Sequence, residues 1–135
     1  MLMRAEFFDT NVILYLLDKN EKAKTAEQLL AQQGVISVQV LNETVANCRR
    51  KAKMTWEETA IFMSGVRRLC DICDLTPDLH DLGRALAQRY GFSVYDAMIV
   101  AAALMSGCNT LYSEDMQDGL RVEDTLTIVN PFRVS

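Results

Sequence analysis

Three aspartates stand where an α/β chain tends to build its sites. Asp9 ends the apolar run Phe7-Phe8 and precedes Thr10-Asn11. Asp115 lies in Tyr112-Ser113-Glu114-Asp115, just past an expected strand, and Asp96 falls in the first turn of the apolar segment VYDAMIVAAALM. Converging carboxylates repel one another and raise each other's pKa. A hard divalent cation removes that cost, and an all-oxygen set with open water positions suits Mg²⁺ or Mn²⁺. Such ions activate water and stabilise the leaving oxygen of a phosphodiester. That chemistry needs no histidine, cysteine nucleophile or phosphate loop. The one histidine, His80, falls early in a helix among polar neighbours and is expected at the surface.

Each carboxylate also has a purely structural reading. Asp9 can cap a helix starting near Val12, unless Thr10 and Asn11 take that part and leave it free. Asp96 can be the capping-box partner of Ser93. Acids such as Glu114, Asp115 and Asp118 are common in loops, and Glu43 is a helical glutamate near the edge of a buried stripe. No single residue decides the matter. Asp9, Asp96 and Asp115 share one address, at expected strand ends or helix starts.

The elements that must position them follow from periodicity and punctuation. A strand is expected at about Arg4–Phe8, then helices at Val12–Leu17 and Lys22–Gln33, the second stopped by Gly34. Val35–Val38 reads as a buried strand and Gln39–Lys53 as a helix with Val40, Leu41, Val45 and Cys48 on its apolar face. Thr55-Trp56-Glu57-Glu58 has the form of a capping box opening a helix to Arg68, and Leu69–Leu75 reads as another buried strand. Thr76-Pro77 opens a helix ending at Gly91, and Ser93 opens one ending at Gly107. Asn109–Tyr112 and Thr125–Val129 complete the set. Strands separated by helices predict a largely parallel sheet covered on both faces, with its site beyond the carboxyl ends of the strands.

With 135 residues, 50% hydrophobic and 24% charged, and with no repeat or linker, a single domain spanning 1–135 is expected. No apolar run is long enough to span a membrane, and no secretory leader is apparent, so a cytoplasmic protein is expected. The net charge of −4 argues against nonspecific capture of nucleic acid but leaves room for a nuclease whose acids bind metal. Cys70 and Cys73 are three apart in an expected strand and point to opposite faces, so they are not expected to grip one metal. Cys48 and Cys108 fall on apolar helical faces, and all four cysteines are expected as reduced thiols.

The segments FFDTNVILYLL, VLNETV, FSVYDAMIVAAAL and TLYSEDMQDG, in this order from about Phe7 to Asp118, resemble the PIN-domain ribonucleases of the VapC toxin type. The resemblance implies a PIN-like three-layer α/β sandwich, with a five-stranded mainly parallel sheet and helices on both faces. It also implies an acidic Mg²⁺/Mn²⁺ site and endoribonuclease activity, with Asp9, Glu43, Asp96 and Asp115 as its acids. Asn11 matches a polar residue near the first acid, and Ser113 the hydroxyl residue two before the last. Asp118 matches a further acidic or polar position, which leaves two candidates beside the metal in that loop.

The same resemblance implies a homodimer and a cognate antitoxin that blocks the site, with a basic side chain reaching the carboxylates. Arg49, Arg50, Lys51 and Lys53 are a candidate RNA-phosphate track, with Arg67, Arg68, Arg84 and Arg89 as further cations; near a helix C-terminus such residues equally complement the dipole. Trp56, Phe62 and Met63 fit either an interface or a core stripe. Alternatives are a stand-alone RNA-processing nuclease without an antitoxin, and a noncatalytic RNA- or protein-binding module of the same fold. A phosphotransfer enzyme with Asp9 as nucleophile is more remote, since it would need a lysine near the site and none follows Lys53.

Overall fold

The computed structural model describes residues 5–133. Six strands form one sheet: β1 (Glu6–Phe8), β2 (Gly34–Ser37), β3 (Cys70–Cys73), β4 (Thr110–Tyr112), β5 (Arg121–Val122) and β6 (Leu126–Val129). Their order is β3-β2-β1-β4-β6-β5, parallel throughout except for β5, which runs antiparallel to β6. The helices are α1 (Thr10–Leu14), α2 (Glu21–Ala31), α3 (Val38–Arg50), α4 (Trp56–Leu69), α5 (Pro77–Tyr90) and α6 (Val94–Met105), with a 3-10 turn at Tyr15–Leu17. The expected start of the first strand at Arg4 lies outside the described residues.

The sheet is covered on both faces at its centre. Phe7 and Phe8 are successive residues of β1, so they point to opposite faces, yet both are fully buried. The expected α/β architecture is therefore present, with one more strand than the five expected. The extra strand, β5, is joined to β6 by a tight turn in which Glu123 and Asp124 take positive φ and Thr125 N donates to the Val122 carbonyl at 3.2 Å. Such a turn normally advertises itself with Asn-Gly or Asp-Gly. Here Glu-Asp is held in place from outside, by Arg89 on both Glu123 carboxylate oxygens and by Glu123 N on the Tyr90 hydroxyl.

Gly34 does not stop α2; it is the first residue of β2, and Gln33 supplies the left-handed turn at φ 63. A Cβ on Gly34 would run into the Phe8 ring and come within 2.6 Å of the Glu6 carbonyl oxygen. The glycine is needed because β1 and β2 approach closely there. Val38 belongs to a helix rather than a strand. Ser37, the last residue of β2, accepts from Val40 N at 3.2 Å, so α3 starts with no intervening loop.

β3 is shorter than expected and lies at the sheet edge, with only Cys70 fully buried. All four cysteines are free, and burial pushes the Cys70 and Cys108 thiols up to about 11. The capping box at Thr55 and Glu58 is complete, and Thr76 caps α5 with Pro77 at its first position. α6 runs through the core, with every residue from Ala97 to Ala103 buried. It packs closely on α5 at Gly83, where a Cβ would sit 2.6 Å from Met98 Sδ. Among the described residues no helix is long and apolar enough to cross a membrane.

Candidate active site

The chain leaves β1 for β2 and β3 on one side and returns at β4 on the other. The crevice between the carboxyl ends of β1 and β4 is thus the topological switch point, where sites in such sheets form. Asp9 follows β1, residues 113–115 follow β4, and Asp9 N donates to the Tyr112 carbonyl at 2.9 Å. A cleft of about 550 Å³ opens at this point, and Asp9, Glu43, Asp96 and Asp115 all line it.

Asp9 is buried, and its carboxylate is held at both oxygens. Oδ1 accepts from Thr10 N at 2.7 Å, while Oδ2 accepts from Ser113 Oγ at 2.7 Å and more weakly from Asn11 Nδ2 at 3.5 Å. It also caps α1, which begins at Thr10 rather than Val12. Thr10 and Asn11, open as capping alternatives, serve the site instead. Thr10 Oγ1 donates to Glu43 Oε1 at 2.8 Å, and Asn11 Nδ2 donates to Asp115 Oδ2 at 3.0 Å.

Glu43 is on α3 because that helix starts directly from β2, and Gln39 one turn earlier donates to its Oε2 at 2.8 Å. Asp96 is half-buried in the first turn of α6, where Ser93 Oγ accepts from its backbone N at 3.2 Å. The positive end of the helix dipole favours an anion there. Burial, with a smaller push from neighbouring charges, raises the pKa of two of these acids. Burial pushes Asp9 up to about 6, Ser113 and Thr10 oppose the rise, and the charges of Asp96 and Glu43 add to it. Asp96 is raised chiefly by burial and then by Glu43, with a smaller push from Asp115.

Among the described residues, no three Asp, Glu, His or Cys side chains are drawn into a closed metal-ligand group. The four acids are anchored separately, on a strand end, two helices and a loop. What they form is a cleft lined by carboxylate oxygens.

Asp118 is not part of that lining. Its Oδ1 accepts from Asn130 N and its Oδ2 from Arg133, each at 2.8 Å, so it braces the C-terminal segment. Ser113 and Asn11 are both in contact with the acids as described. Of the expected cationic track only Lys51 lines the cleft. Arg49 instead donates to the Met54 carbonyl at 2.6 Å and lies over the Trp56 ring, while Arg50 and Lys53 are exposed and do not line the cleft. Arg84 and Arg89 are paired with Asp81 and Glu123. Trp56 is exposed, whereas Phe62 packs against the core.

Sequence reasoning missed Gln39, Tyr15 and Lys22, and weighed Glu114 only as one of several loop acids. Gln39 had a usable signal, since it precedes Glu43 by one helical turn. Glu114 bonds to Tyr15 and Lys22 across separations of 99 and 92 residues, which no local pattern announces.

The sequence model of the PIN domain matches residues 7–119. No curated protein gives a significant match. Solved structures do. A toxin–antitoxin complex from Klebsiella pneumoniae matches with TM-score 0.74 and 20% identity over 96% of this chain and 100% of that one. A DNA-bound VapBC from Salmonella typhimurium matches with TM-score 0.69 and 20% identity, over 93% of this chain and 97% of its own. VapC20 of Mycobacterium tuberculosis, a toxin cleaving the sarcin-ricin loop, matches with TM-score 0.67 and 22% identity over 82% and 90%. The matched segment runs from the strand before Asp9 through the loop that carries Asp115, and on that ground the chain belongs to the PIN domain family.

Proposed function

We propose that this chain is a Mg²⁺- or Mn²⁺-dependent endoribonuclease that hydrolyses RNA phosphodiester bonds, and that it is the toxin of a toxin–antitoxin pair. The observation that carries the reading is the meeting of Asp9, Glu43, Asp96 and Asp115 in one cleft at the sheet's switch point. Burial first, and then neighbouring carboxylate charge, raises the pKa of Asp9 and Asp96, so holding both ionised in this cleft is costly without a cation. The donor set fits a hard ion: it is all oxygen, and Mg²⁺ keeps several waters while taking one or two carboxylates, so a closed protein cage is not required.

Asp9 and Asp96 are the proposed principal ligands, joined by Glu43 and Asp115. The ion, when bound, activates water and stabilises charge on the leaving oxygen. The chain's own residues supply placement. Ser113 and Thr10 hold the Asp9 carboxylate in a single orientation, and Thr10 with Gln39 does the same for Glu43. Lys51, at the cleft wall, is the cation available to an RNA phosphate. Similarity to a structure described as a toxin–antitoxin complex, and to VapC20, described as a toxin, supports the toxin assignment and a cognate antitoxin. The homodimer rests on the family resemblance, and light scattering would test it.

Purified chain is expected to cleave RNA with Mn²⁺ or Mg²⁺, to stop on chelation, and to lose activity in Asp9→Asn and Asp96→Asn. Undiminished cleavage by both variants would sink the site. RNA binding without cleavage in either metal would favour a noncatalytic module. Growth arrest on expression in the host, relieved by Asp9→Asn, separates a toxin from a housekeeping nuclease.

A further inference from the structure

The loop between β4 and β5, residues 113–120, carries Asp115 without helix or strand around it. Its far part is tied to β6 through Gly119 N to the Ile128 carbonyl at 2.7 Å. Its near part is tied to Asp9 through Ser113. Between these ties, Asp115 is exposed, and its side-chain anchor among the described residues is Asn11.

Next to it, Glu114 also lines the cleft, with its carboxylate paired at the wall formed by Tyr15. Its backbone N donates to Asn11 Oδ1 at 3.3 Å, its Oε1 accepts from the Tyr15 hydroxyl, and its Oε2 accepts from Lys22 Nζ at 2.7 Å. Lys22 also donates to the Tyr15 hydroxyl at 3.1 Å. Tyr15 is itself steadied edge-on against Phe132, with ring centroids 4.7 Å apart. The acid loop is thereby clamped to the 3-10 turn and the start of α2.

We infer that Lys22, Tyr15 and Glu114 form a latch that sets the position of Asp115 against Asp9. The latch also keeps Glu114, which lines the same cleft, paired with a cation, so that it adds no uncompensated charge beside Asp115. The inference rests on reading the acidic cleft as the metal-binding reaction centre, and Glu114 and Lys22 act in it as positioning residues.

Hydrogen–deuterium exchange on the metal-free chain reads the latch independently of catalysis. Lys22→Met and Glu114→Ala are expected to speed exchange in residues 114–117 by about two- to fivefold, the loss expected for one partly exposed ion pair, with α5 and α6 unchanged. Lys22→Arg is expected to keep the protection. Lys24→Ala, whose partner is Glu21, serves as the control without effect. Mn²⁺ binding by calorimetry is expected to weaken roughly tenfold in Lys22→Met, as when a group supporting a metal ligand is lost, while the KM for RNA stays the same. Unchanged exchange and Mn²⁺ affinity in Lys22→Met overturn the latch, as does faster exchange spread evenly over α5 and α6. If the unaltered chain neither binds Mn²⁺ nor cleaves RNA, the reading of the cleft fails, and the exchange result still decides whether the clamp exists.

Discussion

Ser113 Oγ donates to Asp9 Oδ2 at 2.7 Å, joining the end of β4 to the end of β1 across 104 residues. The same oxygen accepts from Met116 N at 3.2 Å, so one buried hydroxyl orients an acid and turns the loop that carries another. Ser113→Ala removes the donor to Asp9 and leaves Met116 N unpaired. It is expected to cost about 1–3 kcal/mol in urea denaturation and to lower cleavage at sub-saturating metal. A variant as stable and as active as the unaltered chain would remove Ser113 from the site.

Thr10 has its hydroxyl on Glu43 and is buried. Thr10→Val keeps the shape and deletes the bond. Cleavage is expected to fall by roughly 10–100-fold at limiting metal, the usual effect of losing a group that orients a ligand. Saturating Mn²⁺ should restore part of it. A fall in stability with no change in the metal dependence would contradict the assignment.

The raised pKa of Asp9 makes stability depend on pH. Its carboxyl titrates near 3.8 in an unfolded chain and at about 6 when folded, chiefly through burial. Between those values the folded state holds a proton that the unfolded state releases, so its stabilising effect is full below the lower value and is lost as pH rises through the upper one. The loss is about 3 kcal/mol. Asp9→Asn stays neutral and escapes it. Without metal the variant is expected to match the unaltered chain near pH 4 and exceed its stability at pH 7, with Mn²⁺ reversing that order. Parallel stability–pH curves in urea would contradict this.

Asp115 and Asp118, three residues apart, are expected to part company on mutation. Asp115→Asn removes an acid of the cleft and is expected to depress cleavage and Mn²⁺ binding with little change in stability. Asp118→Asn weakens the exposed pair to Arg133, worth up to about 1 kcal/mol, and should leave Mn²⁺ binding intact. Equal losses of Mn²⁺ affinity in the two variants would show that Asp118 also serves the metal.

Gly34→Ala tests the packing beneath the site. A Cβ there meets the Phe8 ring, one residue before Asp9, and the Glu6 carbonyl. The expected cost is about 1–3 kcal/mol, read from the denaturation midpoint. A neutral result would mean that β1 and β2 can separate without strain.

Much of this protein is written in local sequence. Thr55-Trp56-Glu57-Glu58 and Thr76-Pro77 declare helix starts through backbone N–H groups that need partners within a few residues. The unbroken apolar run Ala97–Ala103 declares a buried helix, because no face of it suits water. The positions of Asp9, Asp96 and Asp115 at element ends follow from the same patterns, and the ordered segments around them carry the family resemblance. Tertiary structure decided what no short-range pattern holds. The Glu123-Asp124 turn is braced by Arg89 and Tyr90 of α5, more than 30 residues away. Gly34 matters through a ring 26 residues away, which the sequence reads only as a helix stop. Whether Asp115 or Asp118 faces the cleft depends on Asn11 reaching one and Arg133 the other. The sequence determines which residues bear charge and, to within a residue or two, where every element but β5 begins; the choice of partner for those charges waits until the sheet brings β1 and β4 side by side, since side-chain hydrogen bonds form over a few ångströms of space and are indifferent to separation along the chain.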